Sequence, residues 1–228
     1  MRVLCLETST PDLSLAIAEG ERVVAGASSS MKKTMAANII PAVDRLLKRK
    51  GWKLDSLDGF IVGLGPGSFT SLRVGLATVK GLAFALNKPV AGVSSLDVLA
   101  AAVKDANGQI CVMADARRGN VYSALYQRVN GKLARVSEYL LSPPEDVLAS
   151  LNGEATITGS GIALYRERIE HYAAEKNMKA SLTPEKLWKP QAKFLLPLGL
   201  PALSLKKPEA VSMLVPMYLY PEDCQVQR

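Results

Sequence analysis

The sequence predicts an α/β protein built from two related halves, and three observations carry that reading. Three strand-like runs open the chain and lead into a helical pattern and a further strand. The same order, three strands, helix, strand, begins again at Gln109. Between them lies Asp105-Ala-Asn-Gly108, a polar, turn-rich linker. At 228 residues, 48% hydrophobic and 21% charged, the chain can bury a sizeable core as one large domain or two small ones. The expected division is an N-terminal lobe over residues 1–104 and a C-terminal lobe over 105–228.

In order, Arg2 to Leu6 and Leu13 to Ala18 read as strands joined by a turn at Pro11 and Asp12, and Glu21 to Ala27 as a third. A helix follows from Thr34 to Lys50, with Ala36, Ile39, Ile40, Val43, Leu46 and Leu47 at helical spacing and Pro41 marking a kink or a first turn. A three-strand meander followed by a helix opens a ribonuclease-H-like unit, an order that many α/β folds share. Asp58 to Gly63 is the next strand, Thr70 to Leu86 a helix, Pro89 to Val93 a short strand, and Ser94 or Ser95 caps a helix running to Val103. In the second half, Gln109 to Ala114, Asn120 to Val129 and Lys132 to Glu138 are strand-like, with Asn130-Gly131 as a hairpin signal. A helix follows Pro143-Pro144, then a strand at Glu154 to Thr158 and a helix from Ala163 to Asn177. Leu182 to Ala192 is irregular, Phe194 to Leu205 a broken helix, Met213 to Tyr220 a closing strand, and Pro221 to Arg228 a frayed tail.

The stretch from Gly63 to Leu86 organises the first half. Gly63, Gly65 and Gly67 permit a sharp turn after the strand Phe60-Ile61-Val62. It is not a Walker loop, since no Lys follows the last glycine, nor a dinucleotide fingerprint, since Ser68 stands where a third glycine is needed. Two readings remain: a strand-turn-helix unit with a buried helix, or a helix shaped to pack against another helix. Leu72, Leu76, Val79, Ala83 and Leu86 form one stripe, and Ser71, Gly75, Thr78 and Ala85 a second of small residues. Gly75 and Gly81 each cost about 1 kcal/mol against Ala in a helix, which a closely crossing helix would offset.

No uninterrupted apolar run approaches the ~20 residues of a membrane helix, so no membrane is expected as a partner. Cys5, Cys111 and Cys224 are scattered, without a C-x-x-C pair, and fit a reducing, cytoplasmic setting rather than a zinc or disulfide framework. The formal charge of +7 is a mild basic bias that suits RNA, an acidic partner or solubility alone. Its densest cluster, Arg45 to Lys53, reads as a helix C-terminus stopped by Gly51. Arg117-Arg118-Gly119 is either an anion contact or a solvated turn.

Gly65-Pro-Gly-Ser-Phe-Thr-Ser-Leu-Arg-Val-Gly-Leu-Ala-Thr-Val-Lys-Gly-Leu-Ala83 resembles the signature segment of the TsaB family, formerly YeaZ. Met1 to Thr10, Gly92-Val-Ser-Ser-Leu-Asp97, Asp115-Ala-Arg-Arg-Gly-Asn-Val-Tyr122 and Val215-Pro-Met-Tyr-Leu-Tyr220 are similar to it in the same order, with the weakest match between Glu138 and Leu214. The resemblance implies two ribonuclease-H-like lobes of the actin, sugar-kinase and heat-shock-chaperone superfamily. It also implies a partner subunit in threonylcarbamoyladenosine modification of the tRNA adenosine next to the anticodon. In that role the chain supports a TsaD-like transferase, with a TsaE-like ATPase as a further partner and tRNA reached only through the complex.

Pairing through the helices at 34–50 and 70–86, with TsaD or with a second copy as a homodimer, is expected to use Ile39, Ile40, Val43 and Leu47 on the first. On the second it is expected to use Ser71, Leu72, Gly75, Leu76, Thr78, Val79 and Ala83, so that Gly75→Leu or Ala83→Arg breaks pairing in a folded monomer. In this superfamily an acid ending the first strand and another in the second lobe flank phosphate and magnesium, and Glu7, with Thr8 beside it, and Asp115 stand at those places. Relatives more often carry Asp at the first, and no glycine separates Glu7 from Thr8 and Ser9. These residues are either a vestigial nucleotide site or polar groups satisfying a turn. No cofactor is expected on this chain alone, with room for ATP at the interface of a complex. TsaD grips its metal with an H-x-x-x-H pair, whereas this chain has the single histidine His171, expected at the surface, and Met35 where relatives often place a histidine. The alternative is an independent ATP-dependent or peptidase-like enzyme of the same superfamily.

Overall fold

The computed structural model describes residues 1–31, 35–106, 108–205 and 208–220. The expected helix start at Thr34, Asn107 of the linker, Cys224 and the tail from Pro221 lie outside the described residues. The chain divides into two compact units, Met1–Val98 with Pro190–Met217, and Leu99–Lys189 with Tyr218–Arg228. The break thus falls inside a helix rather than at Asp105, and residues 190–217 return to the first unit, contrary to a division at 104.

In the first unit, β1 (Arg2–Glu7), β2 (Asp12–Glu19) and β3 (Arg22–Ser30) form an antiparallel meander, followed by α1 (Met35–Lys48), β4 (Gly59–Gly63), α2 (Phe69–Leu86), β5 (Val90–Val93) and α3 (Ser95–Ala102). The sheet order is β3-β2-β1-β4-β5, with β4 and β5 parallel to β1. Alternation along β1 sorts its side chains: Leu4 and Leu6 join the core beneath α1 and α2, while Val3 and Cys5 face the opposite layer. The first core takes Met35, Ile39, Val43, Leu46 and Leu47 from α1 and Leu76, Val79 and Ala83 from α2. Burying each large aliphatic side chain there contributes about 1.5–3 kcal/mol. By length and composition α2 would suffice to cross a membrane, since Arg73 and Lys80 only interrupt its apolar run. α1 ends as expected, with Arg45 and Lys48 in its last turn and Gly51 in the left-handed region.

In the second unit, β6 (Gln109–Arg117), β7 (Asn120–Val129), β8 (Lys132–Arg135), β9 (Leu140–Ser142), α4 (Pro144–Ala149), β10 (Ala155–Thr158), α5 (Ile162–Glu175) and β11 (Ala180–Leu182) follow. The order β11-β10-β6-β7-β8 reproduces that of the first sheet, with β10 parallel to β6 and β7 antiparallel to it. The run Lys132 to Glu138 is shorter than expected, because β8 stops at Arg135 and β9 then pairs with β7. β11 was not expected; it ends at Leu182, where the stretch expected to be irregular begins.

α6 (Leu195–Leu203) carries Pro201 within it and covers the second face of the first sheet with Leu195, Leu196 and Leu203. The closing strand expected at Met213 to Tyr220 does not form. Residues 214–220 hold no regular structure, Pro216 has no N–H to donate, and the Met217 N–H reaches the Leu64 carbonyl at 2.8 Å.

Candidate functional site

The end of β1 gathers three consecutive buried polar residues. Glu7, Thr8 and Ser9 are 2%, 0% and 5% exposed. The Ser9 N–H donates to Glu7 Oε1 at 2.7 Å and the Ser95 hydroxyl donates to Oε2 at 2.9 Å. Ser95 Oγ in turn accepts the Gly65 N–H at 3.2 Å, and the Ser95 N–H donates to the Gly65 carbonyl at 2.7 Å. Burial pushes the Glu7 pKa above the ordinary carboxylate range, against the opposing effect of the hydrogen bonds from Ser9 and Ser95.

The glycines of the β4–α2 segment explain themselves here. A Cβ on Gly63 would overlap the Glu7 carboxylate, one on Gly67 the Ser9 carbonyl, and one on Gly75 the Thr8 side chain. The Ser68 N–H donates to the Ser9 carbonyl at 2.7 Å, tying the start of α2 to the turn, although the Ser68 hydroxyl caps nothing and bonds Ser71 Oγ instead. A magnesium–phosphate group needs an accessible carboxylate and free loop amides. Both Glu7 oxygens are engaged and the loop is filled by the chain's own atoms, so these residues do not fit that group. Thr8 Oγ1, buried without a hydrogen-bond partner, faces Gly75 rather than a cavity.

Gly75 therefore approaches Thr8 inside the lobe, not a partner helix. The same correction applies to most of the expected pairing set. Ile39, Val43, Leu47, Leu72, Leu76, Val79 and Ala83 are buried in the first unit and unavailable to another chain. Ser71 and Thr78 are partly buried, and Thr78 Oγ1 donates to the Val74 carbonyl at 2.8 Å. Ile40 does face outward, at 48% exposure. The outward faces of the neighbouring helices α1 and α2 present Ala37, Ile40 and Pro41 on one and Phe69, Arg73, Ala77, Gly81 and Phe84 on the other. Phe84 is 88% exposed, the Arg73 guanidinium stacks 3.7 Å over the Phe69 ring, and a Cβ on Gly81 would meet nothing within 4 Å.

Asp115 lies in the second unit. Its carboxylate accepts the Arg117 N–H at 2.8 Å and pairs with the Arg117 guanidinium at 3.3 Å. Arg117, Arg118 and Gly119 all hold positive φ, and the Tyr220 hydroxyl donates to the Ala116 and Arg117 carbonyls. Asp115 thus folds its own turn. His171 is exposed on α5.

Sequence reading missed Ser95, whose contact with Glu7 spans 88 positions. The one available signal was glycine placement: a strand that ends in Gly63 leaves space for a long acid on the adjacent strand.

Two sheets of one strand order, each joined through a glycine-cornered turn to a crossover helix, define a duplicated ribonuclease-H-like protein of the actin-like superfamily, with its first-lobe acid sealed in the interior. A family model described as "TsaD: tRNA N6-adenosine threonylcarbamoyltransferase" matches residues 28–221. The tRNA threonylcarbamoyladenosine biosynthesis protein TsaB of Bacillus subtilis is 33% identical over 179 residues, 77% of this chain and 78% of that protein. The protein of the same name from Escherichia coli is 30% identical over 225 residues, 96% of this chain and 94% of that one. The structure of YeaZ from Pseudomonas aeruginosa superposes with a TM-score of 0.78 at 30% identity, covering 96% of this chain and 99% of the other. The chain belongs to the TsaB (YeaZ) family.

Proposed function

We propose that this chain is a non-catalytic partner subunit in tRNA threonylcarbamoyladenosine biosynthesis, seated on a TsaD-like transferase through the outward faces of α1 and α2. Gly81 carries the proposal. A glycine in the middle of a helix costs about 1 kcal/mol relative to Ala, and nothing in its own lobe requires it. Contact with a closely crossing helix from another chain would offset that cost. The same face supplies the apolar anchors Ile40 and Phe84 and only one strongly exposed charge on α2, Arg73. A seam of this kind, of standard size, would bury roughly 1,200–2,000 Å².

The same face would serve a homodimer when no transferase is present. A TsaE-like ATPase joins the assembly, tRNA is met through the complex, and any ATP sits at the interface of the complex, since the sealed Glu7 argues against a nucleotide held by this lobe alone. A cytoplasmic setting is supported by Cys5 and Cys111, buried as free thiols whose pKa burial pushes up to about 12.

The test is co-expression with a TsaD-like partner. Ala77→Arg and Phe84→Arg are each expected to weaken the complex by about 30-fold or more, a loss of about 2 kcal/mol, with an unchanged circular dichroism spectrum. Intact complexes in both variants would sink the assigned face. Nucleotide or peptide turnover by the isolated chain would favour an independent enzyme instead.

A further inference from the structure

Glu7, the last residue of β1, and the two residues after it each face a different glycine: Glu7 faces Gly63, the last residue of β4, Ser9 faces Gly67 in the loop before α2 and Thr8 faces Gly75 within α2. Glu7 is the one whose side chain continues the link, through Ser95 Oγ to the Gly65 N–H, so β1, the head of α3 and the loop before α2 share one buried hydrogen-bonded chain. The Ser94 hydroxyl adds a second tie, 3.4 Å from the Gly65 carbonyl, while its Oγ accepts the Leu96 N–H at 3.2 Å. An acid nearly devoid of solvent, held only by neutral donors, is a costly way to fill space unless its two oxygens are needed at two separate places.

We propose that Glu7 is a positioning residue that seats α2, and with it the outward face that pairs. This inference deepens the pairing reading and rests on it. Because both oxygens accept from groups on different elements, losing the carboxyl strands the Ser9 N–H and the Ser95 hydroxyl in the interior and frees the loop over Gly63 to Gly67. Glutamine keeps the length of the side chain: its carbonyl oxygen accepts from the Ser9 N–H, and its amide donates to Ser95 Oγ in place of the hydroxyl's donation to the carboxylate.

The experiment compares wild type with Glu7→Ala, Glu7→Gln and Ser95→Ala, using amide hydrogen exchange on the isolated full chain and affinity for the TsaD-like partner. Glu7→Ala is expected to exchange about tenfold faster in peptides covering Gly65 to Leu76, with peptides from α5 unchanged. Glu7→Gln restores wild-type protection, and partner affinity follows the same ranking. Should Glu7→Ala fail to fold, Ser95→Ala must show the same local pattern at reduced size. Wild-type protection of the α2 peptides in Glu7→Ala and Ser95→Ala, or Glu7→Gln behaving like Glu7→Ala, overturns the seating role. Faster exchange with unchanged partner affinity overturns its link to pairing. Failure of the pairing reading itself shows separately, as Ala77→Arg leaving the complex intact.

Discussion

Glu7 concentrates what a single residue decides here. Its pKa is raised above the ordinary value of 4.5, chiefly by burial, with bonds from Ser9 and Ser95 pulling the other way. Well below 4.5 both the folded and unfolded chains are protonated at this site. As pH rises, the unfolded chain releases its proton first and the folded chain keeps it, so folding stability falls until the folded pKa is passed. Glu7→Gln carries no such proton. Its denaturant midpoint relative to wild type is therefore expected to improve as pH rises above about 4.5 and to level off once the folded pKa is passed, as urea unfolding would measure. A relative advantage that grows towards acid pH would contradict the sign. That an acid stood at the end of the first strand was legible in the sequence. Its burial was not, because Ser95 and Gly63, which enclose it, are remote along the chain.

At the scale of the element, α2 shows how periodicity can identify a stripe and mistake its direction. The 3.6-residue repeat does mark Leu72, Leu76, Val79 and Ala83 as one face, but repeat alone does not say whether a sheet of the same chain or a second chain covers it. The sheet covers it, because β1 and β4 present Leu4, Leu6, Phe60 and Val62 to it. The proposed pairing surface is therefore the reverse side, where Ala77, Gly81 and Phe84 are exposed. The two glycines of α2 then behave oppositely. Gly75→Ala places a methyl group against Thr8 and is expected to destabilise the monomer by about 1–3 kcal/mol. Gly81→Ala enters open space and should stabilise it by about 0.5–1 kcal/mol. Chemical denaturation of the two variants checks both, and equal effects would remove the distinction between the faces. By the same logic, Ala83→Arg would drive a charge into the core, so it tests folding rather than pairing.

Across the whole molecule, the duplication lets one unit serve as a control for the other. α2 and α5 follow equivalent strands, yet the outward face of α5 carries Arg166, Glu167, Arg168, Glu170 and His171 beside Leu164, whereas that of α2 carries Phe69, Ala77, Gly81 and Phe84 with the charge of Arg73 among them. A solvated helix keeps the first composition, and the second is the one the proposed pairing requires. The return of residues 190–217 to the first unit has a consequence for folding. Without α6, the face formed by Val3, Cys5, Ile61, Ala91 and Val93 lies bare. A chain truncated after Lys189 is expected to lose cooperative unfolding of the first unit and to bind a hydrophobic dye, whereas a division at residue 104 predicts an intact N-terminal lobe.

The sequence by itself determined the repeated strand-helix-strand order, the apolar stripes of α1 and α2, the hairpin at Asn130-Gly131 and the family, because each is written in local spacing or contiguous motif. Tertiary structure alone decided which face of α2 turns outward, that Gly63, Gly67 and Gly75 close over Glu7, Ser9 and Thr8, and that α6 completes the first unit. These are contacts between residues tens to nearly two hundred positions apart, such as the Ala192 N–H donating to Ser14 Oγ. Local propensity carries no information about them; the packing of one layer on another does.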